Sequence, residues 1–584
     1  MPTAINANPE FRSHFTQDQF GGNFLFHRDT LDGDGSYQDL IQELGVETVR
    51  FPGGSVTEEF FDISNPNNSS GIDPKTGDQV DLVPLNDWLT TAGDLGISTT
   101  IVIPTQNYLS ETTDENGDRY ADLDRDELYD FVTDVVRGVH GDGEIAAFEI
   151  GNEYWGAGEM SSVEYGRLSS EISSIVDQAL ADSQALDFDT KDIDIVVQAG
   201  TNFDFARLDS SYDDLDSPDA ILGALSEEYS QDFSEGFTFS SGEINWSKIN
   251  NALIMNEYDD EEIERIDGVS AHVYTRGELN PGMRDFSTKM VESSWLERNE
   301  ELETYVTEWN LKSTSSLDPD YDYGLRQAHE MLEIMEQFPE HGVDTAHAWP
   351  LLQNTRNALS SGFEHDELTV GGEMFRLMEE SLPGNRSIDL VGSESSETEY
   401  ASPTIDVHAF GSQDELVLFL TSKSEDVTSN DFDLSGILSG GENISVTYLG
   451  VEEGDLPGSR HANAIVEEAS STEIENEIFS DGILHADLDS LEVMRVVISQ
   501  PTWSEEMEVY WEAVEIVEDE VGEIDGVYDA EALIESLMLP PGDGPPVDDP
   551  TPEPDEEFED DDGGMGIAAV ALGLLPLLAF ALLG

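Results

Sequence analysis

Residues 148–155 read Phe148-Glu149-Ile150-Gly151-Asn152-Glu153-Tyr154-Trp155, and residues 305–310 read Tyr305-Val306-Thr307-Glu308-Trp309-Asn310. Each is an apolar, strand-like run that ends on a glutamate with Asn and Trp close by. Such a strand presents a carboxyl group at the end of a sheet. The two glutamates lie 155 residues apart in sequence (308 − 153), so only a fold that gathers strand ends at one place brings them together.

Working outward, further strand-like runs occur at 20–27, 48–51, 99–104, 193–198, 269–274 and 345–349, with the quoted runs themselves at 146–151 and 304–308. Helical patterns at 37–44, 85–95, 126–139 and 163–180 separate several of them. Eight strands alternating with helices predict an α/β chain whose residues 1–385 close into a (β/α) TIM barrel. An open doubly wound sheet is the alternative. It usually carries a Gly-rich phosphate loop after its first strand, whereas Gly53-Gly54 here is a lone pair after the second. The connection at about 201–264 is too long for a plain loop and holds a helical stretch at 245–255; an insertion after a barrel strand is expected to wall the cleft.

From 386 to 500 the texture changes. Asp406-Val407-His408-Ala409-Phe410, Glu415-Leu416-Val417-Leu418-Phe419-Leu420 and the runs at 444–449 and 491–498 lie between turn residues and predict an antiparallel β-sandwich. A helical segment is expected at 501–538, then an acidic Pro-rich linker at 539–564 that Pro stiffens and like charges extend. A hydrophobic tail closes the chain at 565–584. Its uncharged run from Gly566 spans about 28 Å as helix at ~1.5 Å per residue. A membrane anchor and a sorting or secretion signal fit it equally, and a buried core helix fits poorly behind so acidic a linker. The N-terminus lacks the basic and apolar regions of a secretory signal. An extracellular or cell-surface location, with membrane association through 566–584, is the expectation.

Composition narrows the partners. There are 127 Asp and Glu against 24 Lys and Arg, for a formal charge of -103. That field repels nucleic acid, so no nucleic-acid partner is expected. The acid is spread along the whole chain, and with 38% hydrophobic residues the chain is expected to fold. Adaptation to high salt explains a dense carboxylate surface. Cysteine is absent, which removes disulfides, thiol nucleophiles and cysteine-based metal sites. The oligomeric state is not legible.

The chemistry gathers at predicted strand ends. TIM barrels carry catalytic groups there. Glu153 and Glu308 close the fourth and seventh strands. Two carboxyl groups ~5–5.5 Å apart, one acidic and one ionised, are what retaining glycosidic cleavage requires. Glu153 would be the general acid/base, its pKa raised by the neighbouring anion, and Glu308 the nucleophile. Arg50, closing the second strand, would hydrogen-bond the nucleophile and hold it ionised. Asn152 would donate to the sugar 2-OH. His272 and Tyr274 share one face of the sixth strand; Tyr274 would hydrogen-bond the nucleophile, and His272 would contact the acid/base or the sugar. Trp349, closing the eighth strand, would form a floor for a sugar ring.

In this order, Arg50, Asn152-Glu153, His272-Val273-Tyr274, Glu308 and Trp349 resemble the pattern of the clan A retaining glycoside hydrolases over roughly the first 500 residues. Arg50-Phe51-Pro52-Gly53-Gly54 and Glu308-Trp309-Asn310 look most like the α-L-arabinofuranosidases, and the following sandwich also suits β-xylosidase- and glucuronidase-type relatives. The resemblance implies a glycosidase acting on O-glycosyl bonds of poly- or oligosaccharides by double displacement, with a carbohydrate substrate, no cofactor and no metal. The alternatives are a non-catalytic carbohydrate-binding surface protein and a structural surface-layer protein. A binder has little reason to bear the repulsion of two close anions. Asp32-Gly33-Asp34-Gly35-Ser36 imitates the start of a calcium loop but lacks the closing Glu, and reads as an acidic turn.

The acidic surface makes one prediction. The melting temperature should rise with NaCl into the molar range, followed by circular dichroism; destabilisation by molar salt would remove the salt-adaptation reading.

Overall fold

The computed structural model describes residues 2–8, 10–73, 75–391, 398–480, 482–521 and 527–528. Eight strands close a barrel: β1 (Gly21–Asn23), β2 (Thr48–Phe51), β3 (Ser98–Ile103), β4 (Glu144–Ile150), β5 (Asp194–Gln198), β6 (Gly268–Thr275), β7 (Glu303–Leu311) and β8 (Val343–Ala348). Each pairs in parallel with its sequence neighbour, and β8 pairs with β1. Parallel pairing needs crossover connections, which here carry helices: α1 (Tyr37–Leu44), α2 (Leu85–Leu95), α3 (Arg125–Val136) and α4 (Ser162–Gln184), then α5 (Trp246–Met255) in the insertion, α6 (Leu325–Glu340) after β7 and α7 (Val370–Glu379) after β8.

Local chemistry sets the helix ends. Ser36 caps α1 by accepting from the Asp39 N–H, and Gly45 ends it at φ 72°. The Asp32–Ser36 stretch is thus a turn feeding a helix. Ser161 and Glu164 form a reciprocal capping box that starts α4. The expected first strand, 20–27, shortens to three residues. Asp29 accepts a 2.6 Å hydrogen bond from the Leu25 N–H and curls the chain out of the sheet.

The barrel is sealed against its helices by aromatic rings. Phe24 and Phe51 stack on Trp88 at 4.9 and 5.8 Å, with Tyr37 edge-on to Phe24 at 4.8 Å. All four are fully buried. Burial of one such side chain contributes about 1.5–3 kcal/mol.

The insertion after β5 has its own small core. Leu222, Leu225, Phe233, Ile249 and Leu253 pack together and reach Val163 on α4. This core, rather than α5 alone, gives the segment a fixed surface beside the barrel mouth.

The C-terminal sandwich is present. One sheet holds Arg386–Ser387, β9 (Ile405–Gly411), β10 (Glu415–Ser422), β15 (Val493–Ser499), β12 (Ile444–Val451) and β13 (Ala464–Glu468) in that order, all antiparallel. The second contains β11 (Thr428–Gly436), β14 (Ile483–Leu488) and Phe479–Ser480. Its outer member is Thr3–Asn6 from the start of the chain, which pairs in parallel with β11. The sandwich therefore takes in a strand from before the barrel as well as those after it. The helix at Glu505–Val521 lies within the expected 501–538 segment. The linker 539–564 and the tail 565–584 lie outside the described residues. Among the described residues, no helix is long and apolar enough to cross a membrane.

Barrel and sandwich meet through buried charge. His408 on β9 pairs through Nδ1 with Glu336 Oε2 of α6 at 2.9 Å, both groups essentially without solvent contact. Burial opposes the imidazolium, but Glu336, Glu333 and Glu399 outweigh it and push the His408 pKa up to about 10. A folded pKa above the unfolded value near 6.5 means that this contribution is complete below pH 6.5 and lost as pH climbs toward 10. Glu336→Gln should lower unfolding stability at pH 6 by about 3–5 kcal/mol, and the gap to the parent chain should narrow by pH 10. Denaturant titrations at the two pH values measure both effects.

Candidate active site

The end of β4 is forced into an unusual turn. Gly151 sits at φ 80°, and Glu153 at φ 44°, a left-handed conformation that a non-glycine residue rarely takes. Two side chains clamp it. Glu58, wholly buried, accepts from the N–H of Asn152 (2.9 Å), Thr105 (2.7 Å) and Gln106 (2.8 Å). Gln198 at the end of β5 donates to the Gly151 carbonyl at 2.8 Å and accepts from the Tyr154 N–H at 3.1 Å. The strain at Glu153 is thus held by neighbours on both sides, and its side chain is aimed into the barrel mouth.

Beneath it lies Arg50, on β2 and fully buried. Its Nε donates to Glu149 at 2.5 Å, its Nη1 to Glu308 Oε1 at 3.1 Å and to Asn23 at 3.2 Å, and its Nη2 to Asn152 Oδ1 at 2.9 Å. One guanidinium therefore ties together β1, β2, β4 and β7. Glu149 is further satisfied by the hydroxyls of Ser270 and Thr307, each at 3.1 Å. Asn23 donates to the Thr307 carbonyl at 3.0 Å and is walled by Gly53, where a side chain would collide with it at 2.8 Å.

Glu308 is 6% exposed and receives a second hydrogen bond, from the Tyr274 hydroxyl at 2.7 Å. Glu153 is more open at 35%. His272 stands between them, its Nδ1 3.4 Å from Glu153 Oε1 and 3.6 Å from Glu308 Oε2. One carboxylate oxygen from each glutamate and a ring nitrogen of His272 all lie within 4.8 Å of one another. Such a trio has the donors for a metal ion. Arg50 already occupies Glu308, however, and its charge opposes a second cation there. Trp155 packs edge-on to His272 at 5.9 Å. The Trp349 ring lies over Gly54, where any side chain would strike it at 2.3 Å. The Gly53-Gly54 pair is a seat for Asn23 and Trp349.

Every residue anticipated from the sequence, Arg50, Asn152, Glu153, His272, Tyr274, Glu308 and Trp349, stands at a strand end on the C-terminal face of this barrel. The distribution of protons differs from expectation. Burial disfavours the imidazolium of His272, but Glu308 and Glu153 outweigh it and raise its pKa. Burial would raise Glu153 as well, yet the His272 hydrogen bond and charge, with Arg50 and Lys312, bring it below the ordinary carboxyl range. Burial, with Glu153, raises Glu308 against the pull of His272, Arg50 and Tyr274. The expected upward shift of Glu153 by its neighbouring anion is thus reversed, because the His272 imidazole sits between the two carboxylates.

Sequence reasoning missed Glu149, Asn23, Glu58 and Gln198. Glu149 did leave a signal: a charged residue in the middle of an apolar strand demands a buried cation, and Arg50 on a neighbouring strand answers it. Replacing Arg50 by Met should therefore cost about 3–5 kcal/mol of stability, since Glu149 and Glu308 lose a buried counter-charge together. Urea unfolding at pH 7 tests this; a loss below about 1 kcal/mol would contradict it.

No protein-family model matches the sequence, and no curated protein matches it. The fold, by contrast, has solved counterparts. An α-L-arabinofuranosidase from Thermotoga maritima, described as an arabinose complex, superposes with a TM-score of 0.53 at 15% identity, covering 85% of this chain and 98% of that one. A family 51 α-L-arabinofuranosidase from Bifidobacterium longum gives 0.53 at 15% identity over 85% and 100%. The family 51 arabinofuranosidase from Xanthomonas axonopodis pv. citri gives 0.52 at 11% identity over 85% and 99%. With its parallel eight-stranded barrel and appended antiparallel sheets, the chain has the fold of the clan A glycoside hydrolases.

Proposed function

We propose that the chain is a retaining glycoside hydrolase that cleaves O-glycosidic bonds of plant- or algal-type poly- or oligosaccharides, with α-L-arabinofuranosides first among the substrates to try. The observation that carries this reading is the approach of Glu153 and Glu308, whose nearer oxygens lie within 4.8 Å. That spacing suits direct attack by a carboxylate and leaves no room for the intervening water of an inverting enzyme, whose carboxyl groups stand ~6.5–9.5 Å apart.

Glu308 attacks the anomeric carbon. Donors from Arg50 and Tyr274 fix one oxygen each and keep the group anionic and aimed. Glu153 protonates the leaving oxygen, and its greater exposure lets water reach it in the second step, when it acts as base. The His272 imidazolium facing two carboxylates holds the same number of protons as neutral His272 facing one protonated glutamate. Passage of one proton across the Nδ1 to Oε1 contact arms the acid. Asn152, whose Oδ1 is held by Arg50, keeps its amide N–H groups for a sugar hydroxyl. Trp349, seated over Gly54, and Trp155, edge-on to His272, are the indole rings nearest to where a sugar would pack. The acidic linker and apolar tail support placing this activity outside the cell.

Glu308→Ala should lower aryl-glycoside hydrolysis at least 10³-fold, and azide should restore part of it as a glycosyl azide of inverted configuration. A panel of aryl arabinofuranoside, xyloside, glucuronide, galactoside and glucoside at high salt, with product configuration read by NMR, is the measurement. Undiminished turnover in the variant would remove the mechanism.

A further inference from the structure

In so acidic a chain the cations are expected to be taken up by carboxylates, and most are. Arg119, Arg167, Arg284, Arg376 and Arg495, for example, each form ion pairs at 3.0 Å or less. Arg137, at the end of α3, spends its Nε on the Ser183 hydroxyl instead, and a set of five, Arg28, Arg276, Lys312, Arg356 and Arg460, is held by no such pair among the described residues. Four of them follow barrel strands on the catalytic face: Arg28 follows β1, Arg276 directly follows β6, Lys312 directly follows β7, and Arg356 follows β8. The fifth, Arg460, lies in the sandwich loop between β12 and β13, against the segment that follows β8.

They form two groups. Arg276 is exposed; Lys312 is half-buried, and its backbone N–H donates to the Thr275 carbonyl at 2.9 Å. Burial and Arg276 hold its ammonium below the ordinary lysine range, with Glu153 pulling the other way. Arg356 and Arg460 line a cavity of about 280 Å³ between the loop after β8 and the sandwich loop. Arg356 Nη1 is spent on the carbonyls of Thr314 (2.7 Å) and Leu317 (3.0 Å), and Arg460 Nη2 donates to Asn354 at 3.1 Å. The Nε of Arg460 is buried with no partner. Val370 and Gly371, the first residues of α7, also line the cavity, so a ten-residue helix turns its N-terminus toward it. Gln353, another lining residue, accepts from Arg28 Nη1 at 3.5 Å. The lining carboxylate is Glu367, which is solvent-exposed.

Two arginines and a helix N-terminus line one polar space. At long range the net charge repels an acidic ligand, so such a ligand binds only where local cations are left bare. Neutral glycans need none of this. We propose that the glycan substrate is acidic, bearing carboxylate or sulfate groups, and that Arg276 and Lys312, directly after the strands that carry His272 and Glu308, and the Arg356–Arg460 cleft bind those groups. Because Glu153 would protonate the leaving oxygen, the first pair serves an acid group near the scissile bond and the cleft one further along the chain. This specificity rests on the glycosidase reading above.

The test separates the two. Full-length Glu308→Ala protein, at an ionic strength where circular dichroism shows it folded, is titrated calorimetrically with glucuronoxylan, with carboxyl-reduced glucuronoxylan, with λ-carrageenan and with desulfated carrageenan. At least one acidic polymer should bind 10-fold or more tightly than its neutral counterpart; which one does so tells uronate from sulfate. Arg356→Ala/Arg460→Ala, built in the same background, should abolish most of that preference. Circular dichroism and the melting temperature of this variant at the same ionic strength should match those of Glu308→Ala, which shows that it folds. Equal affinity for acidic and neutral polymers, no binding of either acidic polymer, or a preference that survives both this pair and Arg276→Ala/Lys312→Ala overturns the proposal. A preference that Arg356→Ala/Arg460→Ala removes, in a protein that cleaves no glycoside, would uphold the acid-binding cleft and defeat the glycosidase reading. Hydrolysis with no acid preference would do the reverse.

Discussion

The buried Arg50 guanidinium is the constraint on which the rest of the site depends. Stripping a cation of water is costly unless its donors are all engaged, and Arg50 engages Glu149, Glu308, Asn23 and Asn152 at once. These partners belong to different barrel strands, so the ion network sets how those strand ends lie relative to one another. It also explains why a second carboxylate, Glu149, is retained below the pair at the mouth. Glu308 alone would leave Arg50 shared between a structural and a reactive task. With Glu149 on Nε, the face toward Glu308 is free to respond to chemistry there. Lysine offers no planar fork and could not serve all four partners.

The barrel was legible because its signals are local. Each strand is an apolar run, each helix a 3.6-residue pattern bounded by caps such as Ser36 and Ser161, and eight repeats of that alternation leave few topologies. The strand-end residues were legible for a related reason: Asn152-Glu153 and Glu308-Trp309-Asn310 place polar groups where an apolar run stops. What was hidden is long-range. Asn23 reads as an ordinary turn residue until the Thr307 carbonyl arrives from across the barrel. Glu58 and Gln198 are plain polar residues until the strained turn at Glu153 needs its N–H and C=O groups met. The raised pKa of His272 is likewise a property of three groups brought together, which no single motif carries.

The insertion and the sandwich enlarge the barrel's chemistry without altering its frame. Thr201 and Ser247, near the two ends of the insertion's visible core, line a small pocket with Trp155 and His272. On the other side, the loop between β12 and β13 brings Arg460 to the segment after β8. Both flanks of the mouth are thus supplied by parts of the chain that no barrel requires. Variable loops on a constant barrel frame are the usual economy of this architecture.

The pairing of Thr3–Asn6 with β11 has a consequence for how the chain is made. Asn6 lies opposite Gly436, so the partner of the first strand leaves the ribosome only after the whole barrel has been synthesised. At ~5–20 residues per second that interval is roughly 20–90 s. Throughout it the N-terminal segment is a strand without its partner, the kind of open edge that invites wrong ones. The barrel can fold as a unit during synthesis, but the sandwich is completed only by a return to the first residues, which makes its closure the late and vulnerable event in this protein's biogenesis.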